Sequence, residues 1–171
     1  MRCFIALWPG DAVRAALATG AGAMLGAACR AVPAANYHLT LCFLGAVPVE
    51  RVSALRDCVA AIPVDPFDLT LDRAGCFPEA AVAWLAPAST PAPLAALRAR
   101  TAAALRVAGV GFDERDWHPH VTIARRCRAA PAWRGPPIAW SVDDAVLCRS
   151  EGTDAGVRYA VIARTATASV R

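Results

Sequence analysis

One short phrase occurs twice in this chain, as His38-Leu39-Thr40-Leu41 and His120-Val121-Thr122-Ile123, nearly half the sequence apart. Both copies alternate a polar side chain with an apolar one. In a β-strand successive side chains point to opposite faces, so His38 and Thr40 share one face, as do His120 and Thr122. On the other face Leu39, Leu41 and Phe43, or Val121 and Ile123, are free to enter a core. By the same parity Cys42 is expected beside His38 and Thr40. A fold that satisfies both copies must bury two strands on one side and leave two imidazoles and two hydroxyls on the other. A duplicated unit would set those groups symmetrically across one cleft.

The rest of the sequence supplies elements of matching size. Strands are expected at Arg2 to Trp8, Tyr37 to Gly45, Phe67 to Ala74, Val82 to Ala86, His120 to Arg126, Trp140 to Arg149 and Arg158 to Arg164. Each is short, rich in β-branched or aromatic residues and closed by Gly, Pro or Asp. Asp11 can open a helix running to about Cys29. Val49 to Ala61 repeats apolar residues at helical spacing, and Pro91 opens a helix to Ala108 that Gly109 and Gly111 end. Several strands follow one another without an intervening helix, which favours α+β with antiparallel pairing over a doubly wound parallel sheet. The proline-rich stretches Pro87 to Pro93 and Pro131 to Pro137 read as surface loops, too short to link domains.

At 171 residues, 57% hydrophobic and 19% charged, the chain reads as one globular domain. No apolar run reaches the roughly 18 to 20 residues that cross a bilayer, and the first ten residues read as a strand and turn, not as a leader. Seven cysteines with no CxxC pair argue against a disulfide framework or a zinc site, and most read as small buried hydrophobes in a cytoplasmic protein. The net charge of +4 comes from arginine alone, with no lysine; it suits an anionic ligand without identifying one.

Two imidazoles and two hydroxyls around one space suit phosphodiester hydrolysis. That reaction needs a proton taken from attacking water and another given to the leaving alkoxide. Histidine, with an unperturbed pKa of about 6.5, can do either near neutrality. Hydroxyl and guanidinium donors aimed at the non-bridging oxygens stabilise growing charge, each by roughly 3 to 4 kcal/mol. Neither a metal nor another cofactor is expected, since no Asp-rich cluster of the magnesium-binding kind is present. Arg125 follows the second motif as His-x-Thr-x-x-Arg. On a regular strand it would face away from His120, so it can join the site only past the strand end or after a bulge.

Together with these motifs, Arg2-x-Phe4-x-Ala6, Asn36-Tyr37-His38-Leu39-Thr40-Leu41-x-Phe43-Leu44-Gly45, Val82-x-Trp84-Leu85, Pro119-His120-Val121-Thr122-Ile123-x-Arg125, Leu147-x-x-Ser150 and Arg158-Tyr159 resemble the two-histidine (2H) phosphoesterase superfamily. Within it the chain looks like the RNA 2′,3′-cyclic phosphodiesterases once called 2′–5′ RNA ligases. The resemblance implies a two-lobed α+β fold over residues 1–171, with two small antiparallel sheets flanking a central groove and helices outside. It implies hydrolysis of a terminal 2′,3′-cyclic phosphate to a 2′-phosphomonoester. His38 would then be the acid for O3′ and His120 the base for water, with Thr40, Thr122 and Arg125 holding the phosphate. From the residues alone the two histidines are interchangeable. RNA ends or cyclic nucleotides are the expected substrates, for a monomer with no obligatory partner and no membrane contact. The same groups could run backwards as a 2′–5′ ligase, and a protein that binds RNA ends without turnover is the rival from another class.

Other residues carry two readings each. Trp117 and Phe77 can stack on a nucleobase or pack into the core. Arg115, Arg125, Arg126, Arg128 and Arg134 form either an RNA-tracking rim or a solvated charged face. His118, beside Asp113, Glu114 and Asp116, reads as a surface histidine, not a metal ligand. Trp84, between Val82 and Leu85, reads as core.

Overall fold

A computed structural model describes residues 1–26, 29–129, 133, 135–154 and 156–166. Its strands are β1 (Arg2–Leu7), β2 (Arg30–Ala31), β3 (Leu39–Ala46), β4 (Phe67–Leu71), β5 (Arg73–Phe77), β6 (Val82–Ala86), β7 (Val121–Arg125), β8 (Ile138–Val142), β9 (Val146–Thr153) and β10 (Gly156–Arg164). Among the described residues three α-helices accompany them: α1 (Asp11–Met24), α2 (Val52–Ala60) and α3 (Ala92–Val107). Among the described residues no helix is long and apolar enough to cross a membrane.

All strand pairing is antiparallel. Eight strands form one sheet in the order β10-β9-β1-β3-β7-β6-β5, with β2 also against β7, while β4 and β8 make a separate two-stranded sheet. The large sheet is two four-stranded halves. They meet at β3 and β7 through one aligned residue pair, Leu39 with Val121. Those two residues are fully buried, as are Leu7, Ile123, Leu17 of α1, Leu55 of α2 and Leu97 of α3, in a single core between the sheet and the helices. A smaller apolar cluster of Phe4, Ala6, Val146 and Cys148 lies apart from it, with Trp8, Tyr159 and Val161 packed against it. The alternation of β1 explains both clusters: Cys3, Ile5 and Leu7 enter the main core, and Phe4 and Ala6 face away from it.

Bulges alter the parity read from the sequence. Against β1, the register of β3 shifts by one residue between Thr40 and Cys42, and again between Phe43 and Gly45. Each shift leaves one residue of β3 unpaired, namely Leu41 and Leu44. Cys42 is therefore buried in the main core beside Ile5, and Phe43 emerges on the opposite face beside Phe4. Both expectations from strict alternation are overturned here. Strand β7 has the same defect. Its register against β6 shifts between Thr122 and Ala124, and Ile123 and Ala124 are both fully buried.

Other differences concern where the chain turns. The run Phe67 to Ala74 is divided at Asp72 into β4 and β5, and Trp140 to Arg149 is divided at Asp143-Asp144-Ala145 into β8 and β9. In each case the extended chain leaves the small sheet for the large one. Helix α1 stops at Met24, five residues short of Cys29, because Leu25 is extended; Gly20, Gly22 and Gly26 leave little helical preference to carry it further. The cysteine reading also needs correction, since Cys29 and Cys127 form a disulfide with their Cα atoms 5.0 Å apart. Spacing could not reveal it, because the pair is 98 positions apart and is brought together only by the pairing of β2 with the end of β7. Cys3 and Cys148 are buried free thiols, as expected, and so is Cys42, against the groove position that alternation gave it. Arg134, with Pro131 and Ala132 of the Pro131 to Pro137 stretch, lies outside the described residues.

Candidate active site

Each histidine stands one residue ahead of its strand, His38 before β3 and His120 before β7. Antiparallel pairing of Leu39 with Val121 sets His38 across from Thr122 and His120 across from Thr40. The four polar side chains, all half-buried, therefore occupy one patch on the face turned away from the main core. The bulge in β7 then carries Arg125 back to that face, one of the two routes that the His-x-Thr-x-x-Arg spacing left open. Because β3 is bulged at the equivalent place, the first motif delivers Phe43 where the second delivers Arg125.

Two adjoining cavities open on this patch. One, of about 430 Å³, is lined by His38, Thr40, Thr122 and Arg125 together with Asn36, Ser150 and Tyr159. The other, of about 820 Å³, is lined by His120, Thr40, Phe77, Trp117, His118 and Arg98, among others. Thr40 and the exposed Phe43 border both, so the two cavities are wings of one groove.

The imidazoles are held alike. His38 Nδ1 lies 2.7 Å from the carbonyl oxygen of Asn36, and His120 Nδ1 lies 2.6 Å from that of His118. A carbonyl oxygen can only accept, so each Nδ1 carries the hydrogen and donates it. In the neutral ring Nε2 is then the basic nitrogen in both. Asn36 is itself buried and donates through Nδ2 to the Val157 carbonyl at 2.7 Å, which ties the His38 loop to β10.

Aromatic rings enclose both sites. Around His38 the ring centroids of Phe4, Tyr159 and Trp8 lie at 4.7, 5.0 and 6.0 Å, with Trp8 stacked and Tyr159 edge-on. Phe77 meets His120 edge-on at 5.0 Å and Trp84 lies 6.5 Å away. Trp84 thus stands on the groove face, opposite Thr122, and is half-buried instead of fully core. Gly75 makes room for it: a Cβ there would overlap the indole. Burial in these rings disfavours a charged imidazole, which lowers His38 to about 4, with smaller contributions from the nearby charges of His120 and Arg125 opposing a proton. His120 is lowered too, again chiefly by burial. Sequence reasoning missed the rings of Phe4, Trp8 and Tyr159. The alternation of Phe4, Ala6 and Trp8 against Cys3, Ile5 and Leu7 was the available signal.

The remaining expected residues divide. Phe77 and Trp117 both line the larger wing; Trp117 also packs on the edge of the core and donates Nε1–H to the Thr40 carbonyl at 2.9 Å. Arg115 pairs with Asp113, and Arg126 and Arg128 are exposed. His118 is exposed, and no group of three or more metal-ligating side chains gathers among the described residues.

Comparison with known proteins points the same way as this geometry. The sequence profile of the 2′-5′ RNA ligase superfamily matches residues 12–154. The RNA 2′,3′-cyclic phosphodiesterase of Escherichia coli K12 is 34% identical over 139 residues, covering 80% of this chain and 79% of the relative. That of Thermus thermophilus is 35% identical over 180 residues, covering 95% and 88%. Among solved structures, E. coli LigT complexed with 3′-AMP superposes with a TM-score of 0.83 at 30% identity over 98% of each chain. A protein of T. thermophilus gives 0.77 at 28% identity over 96% of each. A profile match over most of its length, joined to such relatives, shows that the chain belongs to the 2′-5′ RNA ligase superfamily.

Proposed function

We propose that the protein is an RNA 2′,3′-cyclic phosphodiesterase whose acid and base are His38 and His120. The observation that carries this reading is the matched pair of imidazoles, each locked with Nδ1–H on a backbone carbonyl and Nε2 as its basic nitrogen, beside two threonines and Arg125 on one groove. The curated names of the relatives from E. coli and T. thermophilus support the substrate class.

In the proposed reaction Nε2 of His120 takes a proton from water as the water oxygen bonds to phosphorus. The P–O3′ bond breaks, Nε2–H of His38 protonates O3′, and the 2′-phosphomonoester is left. Thr40, Thr122 and Arg125 donate to the non-bridging oxygens. Arg125 suits this role because, among the described residues, no carboxylate neutralises it. An anion held beside His38 stabilises the imidazolium and so offsets the burial that otherwise disfavours its proton. Substrate binding thereby arms the acid. Ligation would use the same groups in reverse, but water competes everywhere for the cyclic phosphate, so hydrolysis is the direction expected.

We further propose that the chain works as one unit of two pseudo-symmetric lobes, as a cytoplasmic monomer without metal or obligatory partner. In a reducing compartment Cys29 and Cys127 would then rest as adjacent thiols.

The test is direct. Purified protein with EDTA, given an oligonucleotide ending in 2′,3′-cyclic phosphate, is expected to release only the 2′-phosphomonoester. His38→Ala and His120→Ala should each lose roughly 10²- to 10⁴-fold in turnover. Full activity in either variant, or stoichiometric binding without product, rejects the proposal.

A further inference from the structure

Helix α3 carries three arginines that face other elements, and two are neutralised: Arg100 by Asp65 and Arg106 by Glu114. Arg98 is different. Its guanidinium lies over two aromatic rings, 5.1 Å from the centroid of Phe112 and 5.9 Å from that of Trp117. Nε is buried without a hydrogen-bond partner, and among the described residues no carboxylate pairs with the group. Asp113 is close enough to feel its charge, but the Asp113 carboxylate is engaged by Arg115. Leaving such a cation half-buried costs free energy unless an anion completes it.

The location says which anion. Arg98 lines the larger wing of the groove, the one that also contains His120 and Thr40. Its platform is fixed relative to the reaction centre, because Trp117 is anchored on the Thr40 carbonyl. At about 820 Å³ this wing is far larger than one phosphate needs, and Phe77, Trp117 and the 39% exposed Phe43 give it faces for sugar and base. A cyclic phosphate held between His38 and His120 uses Arg125 and the threonines. A chain continuing from it carries a second negative charge one nucleotide away.

Resting on the phosphodiesterase reading above, we infer that Arg98 binds the phosphodiester that precedes the terminal nucleotide, so that the protein prefers an RNA chain to a single cyclic nucleotide. Phosphate contacts of this kind position a strand without reading its sequence, so the preference is for length and not for base.

The test compares an RNA trinucleotide ending in 2′-phosphate with the matching nucleoside 2′-phosphate, measured by direct binding to wild type, Arg98→Gln, Arg98→Lys and Arg100→Gln. The trinucleotide-over-mononucleotide affinity ratio is expected to fall roughly ten- to hundred-fold in Arg98→Gln. Arg98→Lys should recover part of it, and Arg100→Gln should leave the ratio as in wild type. The salt dependence of trinucleotide binding should also weaken in Arg98→Gln. An unchanged ratio overturns the inference, whether both affinities fall together or neither does. Turnover of the two corresponding 2′,3′-cyclic phosphates separates the layers: a wild-type protein that cuts neither refutes the reaction, while the binding ratio still reports on Arg98.

Discussion

Acid should unfold this protein in a way that His38 alone partly dictates. The ring is enclosed by Phe4, Trp8 and Tyr159 and stays neutral down to about pH 4, whereas in the unfolded chain it takes a proton near 6.5. Above 6.5 neither state holds that proton, and His38 adds no pH dependence. Between 6.5 and about 4 the unfolded chain binds more protons than the fold, so stability falls as pH falls. Each pH unit in that window costs about 1.4 kcal/mol, and the whole window about 3 kcal/mol. Below about 4 both states are protonated and the loss levels off. Replacing His38 by Gln, a neutral side chain of similar size, removes this contribution and leaves every other titration in place. Denaturant unfolding of both proteins from pH 7.5 to 4 should therefore give a difference in stability that shrinks, or reverses, by about 3 kcal/mol across the window. Parallel curves would refute the account of His38 as a ring kept neutral by burial.

Three further outcomes follow from particular contacts. Inorganic phosphate should bind with uptake of a proton above pH 5, seen by calorimetry in buffers of different ionisation enthalpy; binding with no proton uptake contradicts the arming of His38 by an anion. Gly75→Ala would push a methyl into the Trp84 ring and should cost about 1–3 kcal/mol, read as a lower thermal midpoint, with an unchanged midpoint counting against that packing. Because Cys29 and Cys127 lie 98 positions apart, Cys127→Ser protein should be less stable than oxidised wild type by up to about 4–5 kcal/mol. A dithiol should lower the wild type to match, and a variant as stable as oxidised wild type would exclude the bridge.

Most of the architecture was readable because each element advertises itself locally. The β-branched and aromatic runs became strands, and Pro91 and Gly109 bracket α3. The pairing of His38 with Thr40, and of His120 with Thr122, needed only alternation. Phe43 and Cys42 were misplaced because a bulge adds a residue without any compositional mark, so parity computed past Leu41 came out inverted. At Ile123 the sequence left two ways for Arg125 to reach the site, past the strand end or after a bulge, and only the register against β6 decides between them. Changes of sheet at Asp72 and at Asp143 were hidden inside continuous β-prone runs, where nothing local distinguishes one partner from another. Trp84 looked internal because its neighbours are; its own face is decided by pairing with Thr122. The disulfide and the rings around His38 depend on which strands become neighbours, a long-range property that no window of sequence contains.

The single Leu39–Val121 rung has a mechanical consequence. Among the described residues it is the one rung that β3 and β7 share, one residue along from each imidazole, and Trp117 on the Thr40 carbonyl and Asp113 on the Phe43 carbonyl hold β3 from the side. The span between the two imidazoles is therefore set by the register of β3 on β7, and a slip of one residue there would carry one histidine past the other by about 3.3 Å. A substitution that disturbs the contact of Leu39 with Val121 would thus misplace the two proton-transfer groups relative to one another without touching either of them.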